Sequence, residues 1–140
     1  MRALAAKRSS GVVSDVASAG TAGYHSGEPP DGRSVAAAAS RGYDIAAQRA
    51  QTLQTAHFED YDLLLAMDAD NLSNMRRMAP PGTVEKCRLF LSYVGHPGPE
   101  TEVPDPYYGS IEDFVRVVDL SERGSALLLV KLEKMQSVRL

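Results

Sequence analysis

A cysteine thiolate is a nucleophile and a metal ligand, so the chemistry open to a sequence depends on where its cysteines lie. This chain of 140 residues has one cysteine, Cys87. A single cysteine forms no internal disulfide and builds no multi-cysteine zinc site. Because Cys87 opens an apolar run that extends to Val94, we interpret it as a small buried hydrophobic residue and not as a nucleophile.

Histidines and carboxylates are the other residues that could do chemistry. His25, His57 and His96 lie far apart in predicted loops and share no helix face, so we expect no metal site. Carboxylates are concentrated in residues 100–113, which contain five Asp and Glu residues and neither Lys nor Arg. We interpret this run as a solvated acidic rim that also places favourable charge at the start of the helix after it.

Composition excludes several classes of protein. Fifteen Lys and Arg residues against 18 Asp and Glu residues give a net charge of −3, which argues against nucleic-acid binding. No apolar run exceeds five residues, so we expect no membrane span, and residues 3–6 are too short for a signal peptide. Length and composition predict one domain over residues 1–140, and the lone cysteine favours a cytoplasmic location.

The secondary-structure elements predicted around these residues alternate between helix and strand. The predicted strands are 12–19, 63–67 and 87–94, and the predicted helices are 1–8, 33–41, 46–53, 69–78 and a last one beginning at Ile111. Asp44 is the expected N-cap of the third helix, and Ser110 with Asp113 predicts a capping box for the last. Gly124 is expected to kink or divide that last helix. Residues 20–32 and 95–109 are predicted loops, rich in Gly and Pro.

This order of elements predicts an α/β fold, namely a doubly wound domain with a parallel sheet. In such sheets the functional site lies at the carboxyl ends of the strands, beside helix N-termini. The loops after Ala19, Met67 and Val94 should therefore face one another.

Five stretches, in order along the chain, resemble the low-molecular-weight protein-tyrosine-phosphatase family. They are Ser18-Ala-Gly-Thr-Ala-Gly-Tyr-His-Ser-Gly-Glu-Pro-Pro-Asp-Gly-Arg33, Arg41-Gly-Tyr-Asp44, Gln48-Arg-Ala50, Ala66-Met-Asp68 and Val103-Pro-Asp-Pro-Tyr-Tyr-Gly109. The resemblance spans nearly the whole chain and implies the family's four-stranded doubly wound sheet. It also implies hydrolysis of phosphotyrosine, in proteins or small aryl phosphates, through a cysteinyl-phosphate intermediate without a cofactor.

The resemblance assigns roles to individual residues. Asp105 would be the general acid that protonates the leaving phenolate and then the base that activates water. Tyr107 and Tyr108 would line the cleft around the substrate ring, and Tyr24 would form the facing wall. The Ser18 hydroxyl would support the loop that binds phosphate.

One part of the family's pattern does not occur in this sequence. The nucleophile of the family lies in a Cys-(five residues)-Arg-Ser/Thr loop, whereas Cys87 has Tyr93 at the Arg position. We therefore expect a chain that lacks the first, central strand and the phosphate-binding loop, truncated at its N-terminus and inactive as written. The alternatives are a pseudophosphatase that binds a partner through the Tyr24 and Tyr107 surface, and an arsenate reductase of the same fold, against which the lone cysteine argues.

Overall fold

The computed structural model describes residues 3–4, 11–23 and 25–138. Helices in this part of the chain are α1 (Gly32–Ser40), α2 (Thr55–Asp60), α3 (Ala69–Met78), α4 (Phe90–Tyr93) and α5 (Ile111–Val138), and the strands are β1 (Leu64–Ala66) and β2 (Cys87–Leu89). Residues 3 and 4 are helical, whereas the rest of the helix predicted over residues 1–8 lies outside the described residues. A 3-10 turn, Val84–Lys86, leads into β2.

The two strands form a parallel sheet that is covered on both faces. Leu64 pairs with Cys87 and Ala66 pairs with Leu89. The side chains of Leu64 and Ala66 are buried with Phe58, Met75 and Cys87 on one face, and Leu63 and Leu65 pack on the Phe90 and Leu91 cluster on the other. This arrangement confirms the predicted α/β fold with a parallel sheet. It also explains the continuous apolar run over residues 63–67, since a strand that is buried on both faces has no polar side.

Helix α5 continues through Gly124, so this glycine does not divide it. A Cβ atom at residue 124 would lie 2.6 Å from Cζ of Phe90. The absence of a side chain therefore lets α5 approach the core ring closely, which is the reason for glycine at this position. At the start of α5 the predicted capping contact is present, since the Ser110 amide donates to Asp113 Oδ2 at 2.9 Å.

Two predicted elements are wrong, and a third is longer than the observed element. Residues 12–19 form no strand, because a strand needs a neighbouring strand to which it can hydrogen-bond. In the described residues 11–23, the one bridge to another segment is between Gly20 and Thr52. Residues 46–53 form no helix, because their backbone bonds across to the loop over residues 20–28: the Ala50 amide donates to the Glu28 carbonyl at 2.9 Å.

The predicted strand over residues 87–94 begins at Cys87 as β2 but ends at Leu89, so only its length is wrong. Phe90, Leu91 and Val94 are all buried, and their spacing is that of one face of a helix that packs into the core. A short apolar run does not distinguish a strand from a buried helix, so the sequence pattern was ambiguous here. Helix α2, which was not predicted, buries Phe58 completely and begins where His57 Nδ1 accepts from the Gln54 amide.

Candidate active site

The loop between α4 and α5, residues 94–110, is attached to the carboxyl end of the sheet. Val103 is buried in the core, and its amide donates to the carbonyl of Met67, the residue after β1, at 2.9 Å. Glu102 Oε2 accepts from the Ala69 amide in the first turn of α3 at 2.6 Å. These two contacts hold the loop where parallel α/β sheets place their functional sites.

A second attachment fixes the beginning of the same loop. The His96 side chain is 2% exposed, and its Nε2 lies 3.0 Å from Glu100 Oε2. The other oxygen of Glu100 pairs with Arg116 on α5. The loop is therefore tied to α5 as well as to β1 and α3.

Asp105 is exposed at the centre of this loop. Its Oδ1 accepts from the Tyr107 amide at 3.0 Å, and the Gly109 amide donates to the Pro106 carbonyl at 2.7 Å. Two consecutive turns thus set the direction of the carboxylate, which leaves its second oxygen available to water or to a reacting group. An exposed carboxyl group in a fixed turn can transfer a proton to a bound molecule.

Tyr107 and Tyr108 stand next to Asp105 with their rings open to solvent. Tyr107 is 59% exposed and Tyr108 is 97% exposed. Their ring centres lie 4.9 Å apart at an angle of 86°, an edge-to-face arrangement. The structure thus brings Asp105, Tyr107 and Tyr108 together on one surface, as an acid beside two aromatic rings.

Arg33, at the start of α1, reaches the same surface. Its Cζ lies 4.5 Å from the ring centre of Phe114 and 5.7 Å from that of Tyr107. Both oxygens of Asp31, the N-cap of α1, accept from its guanidinium, at 3.1 and 2.9 Å. Hydrogen bonding to Arg33 lowers the pKa of the Asp31 carboxyl and raises the pKa of the Arg33 guanidinium, so both groups are charged.

Ser18 and Tyr24 belong to the other predicted side of the cleft. Ser18 is exposed, and its carbonyl accepts from Gln51 Nε2 at 2.9 Å. That contact joins Ser18 to the segment after residue 50, and not to the Asp105 loop, which is the loop of residues 94–110. Tyr24 lies outside the described residues, so its predicted role as a facing wall stays a prediction.

Cys87 is fully buried, with 0% of its surface exposed. Burial raises the pKa of its thiol, which keeps the group protonated and therefore weakly nucleophilic. The prediction that Cys87 is a small buried hydrophobic residue is confirmed.

A shallow cleft of about 470 Å³ lies between the start of α3, residues 100–104 of the loop, and α5. It is lined by Asp68, Asp70, Glu100, Thr101, Glu102, Pro104, Arg116 and Leu120. Within residues 3–4, 11–23 and 25–138, no three His, Cys, Asp or Glu side chains are grouped as metal ligands. None of the helices in those ranges combines the length and apolar character needed to cross a bilayer.

The parallel sheet and its loop of one acid and two tyrosines define an α/β domain with a candidate acid site at the carboxyl edge. A sequence model of the family described as low molecular weight phosphotyrosine protein phosphatase matches residues 1–138. The chain therefore belongs to this family, whose members are hydrolases that act as tyrosine phosphatases.

Individual relatives support the same family at the levels of sequence and structure. A low molecular weight protein-tyrosine-phosphatase of Streptomyces coelicolor is 38% identical over 119 residues, 84% of this chain and 72% of that protein. The crystal structure of YfkJ from Bacillus subtilis matches with a TM-score of 0.82 and 30% identity, covering 96% of this chain and 82% of that one. Wzb of Vibrio vulnificus, in complex with benzylphosphonate, matches with a TM-score of 0.73 and 29% identity, covering 83% and 78% of the two chains.

Sequence reasoning missed Arg33 and Glu102 as parts of this surface. The order Asp31-Gly-Arg33 was a usable signal, because an acidic N-cap two residues before an Arg favours the local ion pair that the structure shows. Glu102 carried no such signal, since its partner Ala69 is 33 residues away in the chain.

Proposed function

We propose that this chain forms the general-acid side of a phosphotyrosine phosphatase, with phosphotyrosine proteins or small aryl phosphates as substrates. The observation that carries the proposal is the joint placement of Asp105, Tyr107 and Tyr108 on one loop tied to β1, α3 and α5. The benzylphosphonate bound by the Vibrio vulnificus relative has the aryl group and tetrahedral phosphorus of such substrates.

In the proposed reaction the two tyrosine rings hold the substrate ring, and Asp105 acts first as a general acid and then as a general base. A cysteine thiolate of the family's Cys-(five residues)-Arg loop forms a P–S bond as the P–O bond to the tyrosine breaks, and the Asp105 carboxyl donates its proton to the leaving phenolate oxygen. The resulting carboxylate then accepts a proton from the water that attacks the cysteinyl phosphate. The P–S bond breaks, so the thiolate is regenerated and inorganic phosphate leaves. Ser18 and Tyr24 complete the opposite side in this proposal.

The nucleophile is not supplied by these 140 residues. The sequence contains no Cys-(five residues)-Arg pattern, and Cys87 is buried with a raised thiol pKa. We therefore propose that the chain as written does not turn over aryl phosphates. The further proposals of a single domain over residues 1–140 and of a cytoplasmic location are supported by the composition and by the unpaired cysteine.

A phosphatase assay in two arms tests the proposal. In the first arm, the purified chain is expected to show no vanadate-sensitive hydrolysis of p-nitrophenyl phosphate. In the second arm, a family segment that carries the Cys-(five residues)-Arg loop is fused ahead of residue 1, and activity is expected. Asp105→Asn in the fused protein should lower the rate about 10²- to 10⁴-fold, the usual contribution of a general acid.

Glu112→Gln provides the matched control, because Glu112 is an exposed carboxylate close to Asp105 in the chain. Its rate is expected to equal that of the unsubstituted fusion. Turnover by the chain alone contradicts its predicted inactivity. An active fusion that tolerates Asp105→Asn removes Asp105 from the mechanism.

A second candidate is a pseudophosphatase that binds a partner without catalysis, and the high exposure of Tyr107 and Tyr108 favours it. This candidate predicts that the chain binds a phosphotyrosine peptide and leaves it intact, and that Tyr107→Ala weakens the binding. The third alternative, an arsenate reductase, finds no support because its further redox cysteines have no counterpart in a sequence with one cysteine.

A further inference from the structure

Three elements meet at Arg33: the first turn of α1, the Asp105 loop and the first turn of α5. The guanidinium plane is set by Asp31, whose two carboxylate oxygens accept from Nε and Nη2. Such a two-point contact fixes the orientation of a planar group and not only its position. The planar, charged guanidinium of Arg33 is therefore held in one orientation at the N-terminus of α1.

Two aromatic rings lie beside the Arg33 guanidinium. Phe114 is 4% exposed and therefore buried, with its ring centre 4.5 Å from the Arg33 Cζ. Tyr107 is 59% exposed, and its ring centre lies 5.7 Å from the same carbon. Cations within about 6 Å of a ring centre are attracted to the ring face. Arg33 thus connects a ring that the core holds in place with one that stands in solvent.

We propose that Arg33 is a positioning residue for Tyr107, and that it sets the angle of the aromatic wall beside Asp105. This inference rests on the proposed function only in that the Tyr107 ring is taken to contact the substrate. The contact between Arg33 and Tyr107 is independent of that function. The other ring beside Tyr107 is Tyr108, which is 97% exposed and has little core contact to hold a neighbour. Asp105 fixes the Tyr107 backbone through its amide, which leaves the ring to Arg33.

The test follows the Tyr107 ring by NMR in the chain of 140 residues, with tyrosine rings labelled and Tyr107 assigned through Tyr107→Phe. In Arg33→Met, which removes the guanidinium and keeps an unbranched stem, the Tyr107 ring resonances should move toward their random-coil positions. Exchange of the Gly109 amide, which closes the turn that contains Tyr107, should accelerate about two- to fivefold, as expected for the loss of an exposed cation–π contact.

The matched control is Arg41→Met at the other end of α1. Arg41 has 43% of its side chain exposed, against 42% for Arg33, and it also binds an aspartate with two donors. Its loss should leave the Tyr107 resonances unchanged. Arg33→Lys separates positioning from stability. Lysine keeps a positive charge beside Asp31 but lacks the planar guanidinium with its two donors. It should unfold at nearly the wild-type temperature and still show the displaced Tyr107 signals.

Unchanged Tyr107 resonances and Gly109 exchange in Arg33→Met would overturn the proposal, as would equal changes in Arg41→Met. If Arg33→Met does not unfold cooperatively, Arg33→Lys decides: wild-type Tyr107 signals in that variant also overturn it. No substrate enters the experiment, so its result is independent of the phosphatase assays. A failure here removes Arg33 and leaves the role of Asp105 untouched.

Discussion

Cys87 and Asp105 are both ionisable, but the structure surrounds them in opposite ways. Cys87 is enclosed by the α2 and α3 side of the sheet, where burial raises the pKa of its thiol. Asp105 is exposed, and a backbone amide already orients one of its oxygens. Burial disfavours the charged form of the Cys87 thiol, whereas the Asp105 carboxyl is accessible to a bound molecule, which is why we propose proton transfer at the aspartate.

The burial of Cys87 predicts slow reaction with thiol reagents. In the folded chain, modification by 5,5′-dithiobis(2-nitrobenzoate) should follow unfolding, whereas in urea it should be complete at once. Cys87→Ser should lower the free energy of unfolding by about 1–3 kcal/mol, because it buries a hydroxyl without a guaranteed partner. Cys87→Ala, which adds no polar group, should cost less. Rapid labelling of the folded chain would contradict the buried placement.

At the scale of elements, the contact between α4 and α5 depends on one missing side chain. The Phe90 ring on α4 occupies the space that a Cβ atom of residue 124 would take. Phe90 is buried with Leu91, Leu120 and Leu128, so neither the ring nor α5 can withdraw without opening the core. Glycine at this position serves packing and not flexibility.

Gly124→Ala should therefore destabilise the chain although alanine is the better helix former. Overpacking of a core costs about 1–3 kcal/mol, against a gain in helix propensity of about 1 kcal/mol. In the Phe90→Leu background the shorter side chain leaves room, and the same substitution should be neutral or stabilising. Urea unfolding of the four proteins of this cycle measures the coupling. Equal effects of Gly124→Ala in both backgrounds would show that the close contact is unimportant.

The short elements also show where sequence patterns lose their power. Residues 87–94 form one apolar run, yet they divide into β2 and α4 because the burial of Phe90, Leu91 and Val94 favours a helical turn there. Residues 46–53 resemble a helix, yet the amides of Ala50 and Leu53 bond to the loop over residues 20–28. Local propensity is weak in both segments, and contacts with distant residues decide the outcome.

At the scale of the whole molecule, α1 is tied to α5 across a long stretch of chain. Arg41 donates to both oxygens of Asp119, 78 residues away, and Tyr43 hydrogen-bonds to Glu122. At the other end of α1, Arg33 reaches Phe114. The contacts connect an early helix with the last helix, so the two should unfold together.

The Arg41–Asp119 contact predicts a pH dependence of stability. Hydrogen bonding to Arg41 lowers the pKa of the Asp119 carboxyl in the folded chain. A lowered pKa adds stability that is present above about pH 4, the unfolded value, and is lost as pH falls through the folded value. The difference in free energy of unfolding between wild type and Asp119→Asn should therefore shrink to zero as the solution is acidified.

High salt should also reduce this difference at neutral pH, because both groups are largely exposed. Asp62→Asn, which removes an exposed carboxylate outside the helices, is the control and should show no such trend. A difference between wild type and Asp119→Asn that persists in acid would assign the effect to something other than the charge pair.

The parallel α/β class, the buried state of Cys87 and the loop that holds Asp105, Tyr107 and Tyr108 were all predictable from the amino-acid sequence. These follow from composition, from apolar runs and from ordered motifs, all of which act over a few residues. Three contacts become visible in the folded chain alone: Glu102 anchors the loop at α3, Phe90 requires Gly124, and Arg33 lies beside Tyr107 and Phe114. Such contacts join residues far apart in the chain, and their energy comes from packing and charge at distances that only the folded backbone sets.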